Sequence, residues 1–399
     1  MATNNRLLYL FTAIFPYGTA EPFLEDEIQY LKRYFSEITI VPLSGSGKAR
    51  SLPDGVSVLK PVLTTKKNKF FKGLFHHRTF FIFLKDLVTK KVFLNKIRFR
   101  QWLAAYFNTN CALKSDSINM VTKSLNPSDV CYFYWGKGLN TLSLFWKGRA
   151  KMVSRFHGEW DLWEESAGNY APIRTEVSKS LDLAVFISEK GRNYFENRYP
   201  FCSTFVSRLG SMDCGEGVKS SDGVLRIVSC SSVYPLKRVD LIYESITKIK
   251  GCKVEWTHLG DGNELESLKQ TVKDTSPDFL QCSFPGWVSH NEVLEHYSNN
   301  PVDVFINLST NEGVPVSIME AISFGIPVVA TNVGGTPEVV TEMTGILVSS
   351  NPNADEVAEA ILRVVRLNFC PRDFWFKNYN ADTNYSEFSH KLVEISQVK

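Results

Sequence analysis

Short apolar runs rich in β-branched residues recur along this chain, each followed by a turn and then an amphipathic stretch. Residues 7–14 lead into the turn Pro16-Tyr17-Gly18-Thr19, and the helix beyond opens at Pro22 with Leu24, Ile28, Leu31 and Phe35 on one face. Further strands are expected at 38–42, 129–134, 151–156 and 182–187. A second series is expected at 224–230, 253–259, 302–308, 326–331 and 346–348, with a helix bearing Val239, Ile242, Ile246 and Ile249 and another at 355–367. Strand and helix alternating in this way specify mostly parallel sheets covered by helices, an α/β fold. With 399 residues the chain suits two domains. These are expected at 1–195 and 196–370, with 371–399 a polar and aromatic helical segment packing back across the junction.

Composition narrows the class. The chain is 44% hydrophobic and 22% charged, enough for two cores, and a net charge of +3 is too mild by itself to call for nucleic acid. Eight cysteines are scattered without a Cys-x-x-Cys pair, which fits reduced thiols in a cytoplasm better than zinc or a disulfide frame. The run after Arg6 has the apolar character of a signal peptide, but a glycine turn and an amphipathic helix follow in place of a small-residue cleavage site. A buried first strand is the expectation. No run reaches the roughly 18 apolar residues of a membrane span.

Chemistry concentrates after the strand at 302–308, where Asn311-Glu312-Gly313-Val314-Pro315-Val316-Ser317-Ile318-Met319-Glu320 opens a helix that Gly325 ends. Eight residues of continuous helix would separate the two carboxylates by about 12 Å, beyond the roughly 5–10 Å of a glycosidase pair. Such a spacing suits an elongated ligand held at both ends. With Pro315 as first helical residue, the amides of Val316 and Ser317 point outward and favour an anion. The plain alternative is that both acids are solvated or capping. Lys237, in another strand-to-helix loop, can meet a phosphate or simply be solvated. Gly260-Asp261-Gly262-Asn263 lacks the spacing of a dinucleotide fingerprint and reads as a tight turn. Gly334-Gly335 permits close approach of a ligand or a plain loop-to-helix junction.

In the first half, Ser154-Arg155-Phe156-His157-Gly158-Glu159-Trp160-Asp161 sits at a strand end. His157 can reach a polar substrate or merely satisfy its loop, and Gly18 can be a bare turn glycine. Residues 66–100 carry eleven Lys and Arg against the single acid Asp86, interleaved with Phe, Leu, Ile and Val. That pattern suits an anionic membrane surface, RNA, or a core helix with a solvated basic face.

Taken together, Glu312-x7-Glu320, the preceding Phe305-Ile306-Asn307-Leu308-Ser309 and the following Gly325-Ile326-Pro327-Val328-Val329-Ala330-Thr331 with Gly334-Gly335 resemble the retaining glycosyltransferases of family 4. The resemblance covers nearly the whole chain and is strongest over 224–348. It implies a GT-B architecture, two Rossmann-like domains facing a cleft. It implies that Glu312 holds hydroxyls of a donor sugar, that Glu320 holds a ribose, and that Val316, Ser317 and Lys237 meet the diphosphate. Trp287 and Val288 would lie against the base, with His157 near the reacting sugar and Gly18 near the phosphates. One departure stands out: Ser231-Ser232 occupy the place of the family's Gly-Arg, so Arg238, Arg208 or Arg155 would have to replace the phosphate arginine at Ser232.

The expectation is a cytoplasmic enzyme transferring a sugar, with retention and no cofactor or essential metal ion, from a nucleotide donor to a glycan or lipid-linked acceptor. Bacterial surface polysaccharide or lipopolysaccharide assembly is the setting, with 66–100 resting on the inner leaflet and nucleic acid an unlikely partner. No Asp-x-Asp triplet occurs. The competing expectations are a sugar-nucleotide epimerase or a phosphorylase on the same fold, and a non-catalytic sugar-nucleotide or RNA-binding protein.

Overall fold

A computed structural model describes residues 6–18, 20–63, 75–158, 161–165 and 168–397. The chain forms two compact units, one of residues 1–207 with 385–399, the other of 208–384.

In the first unit, strands β1 (Leu7–Thr12), β2 (Glu37–Pro42), β3 (Val56–Val58), β4 (Val130–Phe133), β5 (Lys151–Phe156), β6 (Leu183–Phe186) and β7 (Ser203–Val206) make one sheet in the order β3-β2-β1-β4-β5-β6-β7. Every pairing is parallel. Successive side chains alternate between faces, so the sheet serves two cores. Tyr9, Phe11, Phe133, Met152 and Phe186 fill one. Leu8, Leu10, Tyr132, Val153 and Val185 fill the other, with Phe388 and Leu392 of the last helix, Ala381–Gln397. Helices on both faces explain why β4 and β6 are buried at every position and read as continuous apolar runs.

In the second unit, β8 (Leu225–Cys230), β9 (Val254–Leu259), β10 (Leu280–Gly286), β11 (Val304–Asn307), β12 (Val328–Thr331) and β13 (Gly345–Val348) form a parallel sheet ordered β10-β9-β8-β11-β12-β13. In both sheets the order reverses once, at β1/β4 and at β8/β11. In open α/β sheets the carboxyl ends of the strands at such a reversal are the usual ligand position.

Strand β1 ends at Thr12, short of the expected residue 14, because the next three amides turn to a carboxylate described below. β3, β7 and β10 carry no sequence signal strong enough to predict. β3 has three residues, and β10 alternates exposed and half-buried positions through Pro285. Among the described residues no helix is long and apolar enough to cross a membrane.

Candidate functional site

At the second unit's reversal point, β8 gives way to a loop whose short 3-10 turn, Pro235–Lys237, carries the lysine. β11 gives way to residues 308–315 and then the helix Val316–Ser323. The two loops meet through Lys237 Nζ and Glu312 Oε1, 2.6 Å apart. That oxygen also accepts from Ser309 Oγ at 2.6 Å and Asn307 Nδ2 at 3.3 Å. Glu312 is thus a carboxylate fixed by three donors.

The glycines at 334–335 serve this loop. Gly334 has φ +51, and a Cβ there would sit 1.7 Å from the Glu312 carbonyl oxygen, while one on Gly335 would meet the Gly313 carbonyl at 2.2 Å. Gly335 N–H donates to that Gly313 carbonyl at 2.7 Å. The close approach these glycines permit is therefore to the glutamate loop itself.

Pro315 caps the helix in an extended conformation (φ −72, ψ 115) rather than forming its first residue, and among the described residues no side chain caps this end. The amides of Val316 and Ser317 belong to the first turn, where an N–H has no intrahelical acceptor. Glu320 lies on the next turn, largely buried, so the two acids sit on different elements, one in the loop and one in the helix. Its Oε1 is 2.8 Å from His290 Nε2. A carboxylate only accepts, so Nε2 carries the proton. His290 opens the helix His290–Asn299, whose capping box at Ser289 and Glu292 fixes the preceding segment. In that segment Trp287 is 74% exposed and Val288 half-buried.

Beneath Ser231-Ser232 lies a satisfied relay. Trp256 Nε1 donates to Ser229 Oγ at 3.0 Å, Ser229 Oγ is 2.8 Å from His258 Nδ1, and His258 Nε2 is 3.0 Å from the Ser231 carbonyl. The carbonyl can only accept, so Nε2 carries a proton; with the ring neutral, Nδ1 accepts from Ser229 Oγ. Burial pushes its pKa down to about 4, against the Ser231 bond that would raise it. Of the three arginines considered for the missing phosphate contact, Arg238 donates to the carbonyls of Leu308, Ser309 and Ser350 and to Asn351 Oδ1. It ties the loops after β8, β11 and β13 together. Arg208 lies 4.0 Å from Glu338. Arg155, in the first unit, is completely buried and pairs with Glu27 and Ser207, with its guanidinium over Phe388. Arg155 therefore has no path to a phosphate, because leaving its partner would strand Glu27 as a buried, unpaired charge.

In the first unit, His157 follows β5. Its ring packs between Tyr134 and Trp135, centroids 4.5 and 4.4 Å away. Asp161 accepts the backbone N–H groups of His157, Gly158 and Gly136. Burial alone would raise the Asp161 pKa, but His157 and these amides outweigh it and hold the carboxyl below its ordinary range. His157 Nδ1 is 3.5 Å from Asp161, too long for a good hydrogen bond. Nε2 is buried without a hydrogen-bond partner among the described residues. Gly18, exposed at φ +62, lies in the loop after β1, where Arg50 Nε donates to its carbonyl at 2.7 Å.

Glu21 was not anticipated. Its carboxylate accepts the amides of Ala13, Ile14 and Phe15 at 2.7–2.9 Å and Trp135 Nε1 at 2.6 Å. It thereby joins the loops after β1 and β4, beside a pocket of about 190 Å³ lined by Thr12, Ala13, Trp135, Lys137 and Asn140. Thr19, Glu159 and Trp160 lie outside the described residues.

Residues 225–366 match the family Glycosyl transferases group 1. Over 216 residues the chain is 27% identical to a putative colanic acid biosynthesis glycosyltransferase, WcaL, of Escherichia coli (strain K12), covering 51% of this chain and 52% of the relative. It is 20% identical over 241 residues to a GDP-mannose-dependent monoacylated alpha-(1-6)-phosphatidylinositol monomannoside mannosyltransferase of Corynebacterium glutamicum, covering 55% and 61%. The chain thus spans little more than half the length of these curated relatives. Among solved structures, the lipopolysaccharide outer core galactosyltransferase WaaB is similar with a TM-score of 0.69 at 12% identity, over 98% of this chain and all of that one. Anabaena Alr3699/HepE in complex with UDP is similar at 0.63 and 15%, with the same coverage. These likenesses show the fold, two Rossmann-like parallel-sheet units, and the glycosyl transferases group 1 segment contains Lys237, Glu312 and Glu320.

Proposed function

We propose that this chain is a retaining glycosyltransferase that moves a sugar from a nucleoside-diphosphate donor to a glycan or lipid-linked acceptor in bacterial surface polysaccharide or lipopolysaccharide assembly. The observation that carries the reading is the meeting of Lys237 and Glu312 at the β8/β11 reversal, beside an uncapped helix start. The chain's relatives support it, since they include colanic acid and amylovoran biosynthesis glycosyltransferases.

In this reading the diphosphate lies on the amides of Val316 and Ser317. Lys237 spends one of its three N–H donors on Glu312 and turns another to the phosphate. Together they stabilise the negative charge that builds on the departing diphosphate, a role that needs no metal ion. Glu312, held through Oε1, offers its second oxygen to donor-sugar hydroxyls. Glu320 takes the ribose hydroxyls, and Trp287 and Val288 cover the base. In the same proposal His157, whose Nε2 has no hydrogen-bond partner among the described residues, makes a hydrogen bond to the reacting sugar, and Gly18 has a role toward the phosphates.

The test is a thermal-shift screen with UDP, GDP, ADP and their sugars, followed by transfer assays with and without chelator. One nucleotide should stabilise the protein, and transfer should survive chelation with the anomeric configuration retained. Conversion of donor without any acceptor would replace this reading with an epimerase. Phosphate-dependent cleavage would point to a phosphorylase, and binding without turnover to a non-catalytic protein.

A further inference from the structure

Helices His77–Thr89 and Lys96–Leu113 pack on one another through Phe83, Trp102 and Tyr106, whose rings meet at 5.3–5.9 Å. Trp102 Nε1 also donates to the Phe83 carbonyl. A helix pair normally spends its apolar residues on such packing. Here many are left outside. Phe81 and Leu94 are each 71% exposed, and Val88, Phe93 and Ile97 each exceed half. Phe81, Leu84 and Val88 recur at i, i+3 and i+7, one stripe along the first helix. Phe93 and Leu94 stand in the short turn Val92–Leu94 that joins it to the second.

Charge is distributed just as unevenly. Residues 75–100 hold seven Lys and Arg and one acid, +6, in a chain whose net charge is +3, so all other residues sum to −3. The one acid, Asp86, is turned inward and accepts from Tyr170 Oη and the amide of Ile173. Lys90, Lys91 and Lys96 flank the exposed Phe93 and Leu94.

We propose that this helix pair is a docking surface for an anionic lipid bilayer, with Phe93, Leu94, Ile97 and the Phe81 stripe entering the interface and the lysines meeting lipid phosphates. Aliphatic side chains at the tip favour a bilayer over RNA, since Leu94, Val88 and Ile97 offer bases no stacking surface. The −3 balance elsewhere turns the remaining surface away from the same lipids. This inference stands on the first unit alone and does not depend on the donor-site reading.

Flotation of the full chain with vesicles of phosphatidylcholine, with or without phosphatidylglycerol, tests it. Binding should require the anionic lipid and weaken with salt, because the attraction is screened. Neutralising one lysine, as in Lys90→Gln or Lys96→Gln, should weaken partitioning about fivefold. Phe93→Ser with Leu94→Ser should weaken it roughly tenfold or more at unchanged thermal stability. Equal binding to neutral vesicles, or no binding to either, would overturn the proposal. So would tight RNA binding indifferent to the Phe93/Leu94 change, or a self-association in sedimentation velocity that Leu94→Ser abolishes while vesicle binding stays absent.

Discussion

His258 shows how one buried side chain sets a pH response. It is neutral in the fold with its pKa pushed down to about 4, whereas an exposed histidine titrates near 6.5. Between those values the unfolded chain binds a proton that the folded chain refuses, so stability is complete above pH 6.5 and falls as pH drops toward 4. The loss amounts to about 3 kcal/mol. Denaturant unfolding of the wild type should show this extra acid sensitivity, and His258→Gln should lack it. At Glu312 and Glu320 the expected outcomes separate. Glu320→Ala should weaken nucleotide binding about 10–100-fold, the worth of hydrogen bonds to a charged group. Glu312→Ala should leave binding nearer the wild type and lower transfer by a similar factor. Calorimetry beside initial rates distinguishes them, and equal, negligible changes would refute both roles.

Among loops and elements, Gly334 has a role that its sequence context leaves open between ligand and loop. Gly334→Ala would force a methyl group against the Glu312 carbonyl at positive φ, and should cost about 1–3 kcal/mol. Because the displaced backbone carries Glu312, transfer should fall by more than the change in melting temperature alone accounts for. The same comparison shows what local sequence can convey. A β-branched run, a turn and a helix-opening proline place Glu312 and Glu320 at a strand-to-helix junction, since each signal lies within a few residues of its effect. Partners remote in sequence leave no such mark. Glu21 binds Trp135 across 114 positions, Arg155 reaches Glu27 across 128, and His290 meets Glu320 across 30. Arg155 shows the cost: as a letter it is a candidate phosphate ligand, and only burial reveals an ion pair. Asn307 and Ser309 stood inside the quoted motif, yet their bonds to Glu312 depend on how the loop folds back. β7 and β10 were missed because partly exposed strands lack continuous apolar runs.

For the molecule as a whole, the first unit is discontinuous in sequence. Phe388 and Leu392 are fully buried in its second core, and the Arg155 guanidinium lies 4.3 Å over the Phe388 ring. Phe388→Ala should therefore destabilise the first unit by about 3–5 kcal/mol. Hydrogen exchange should show β1, β4 and β5 losing protection while 225–366 keeps it. Uniform loss across both units would mean that they unfold as one. The order of synthesis gives this arrangement a further meaning. Residues 385–397 leave the ribosome after every strand of both sheets, so the first unit is completed only after the second unit's strands have been made. Until then Arg155 and Glu27 lack the aromatic cover that the last helix supplies, and the nascent chain carries a whole later domain before its earlier one can close.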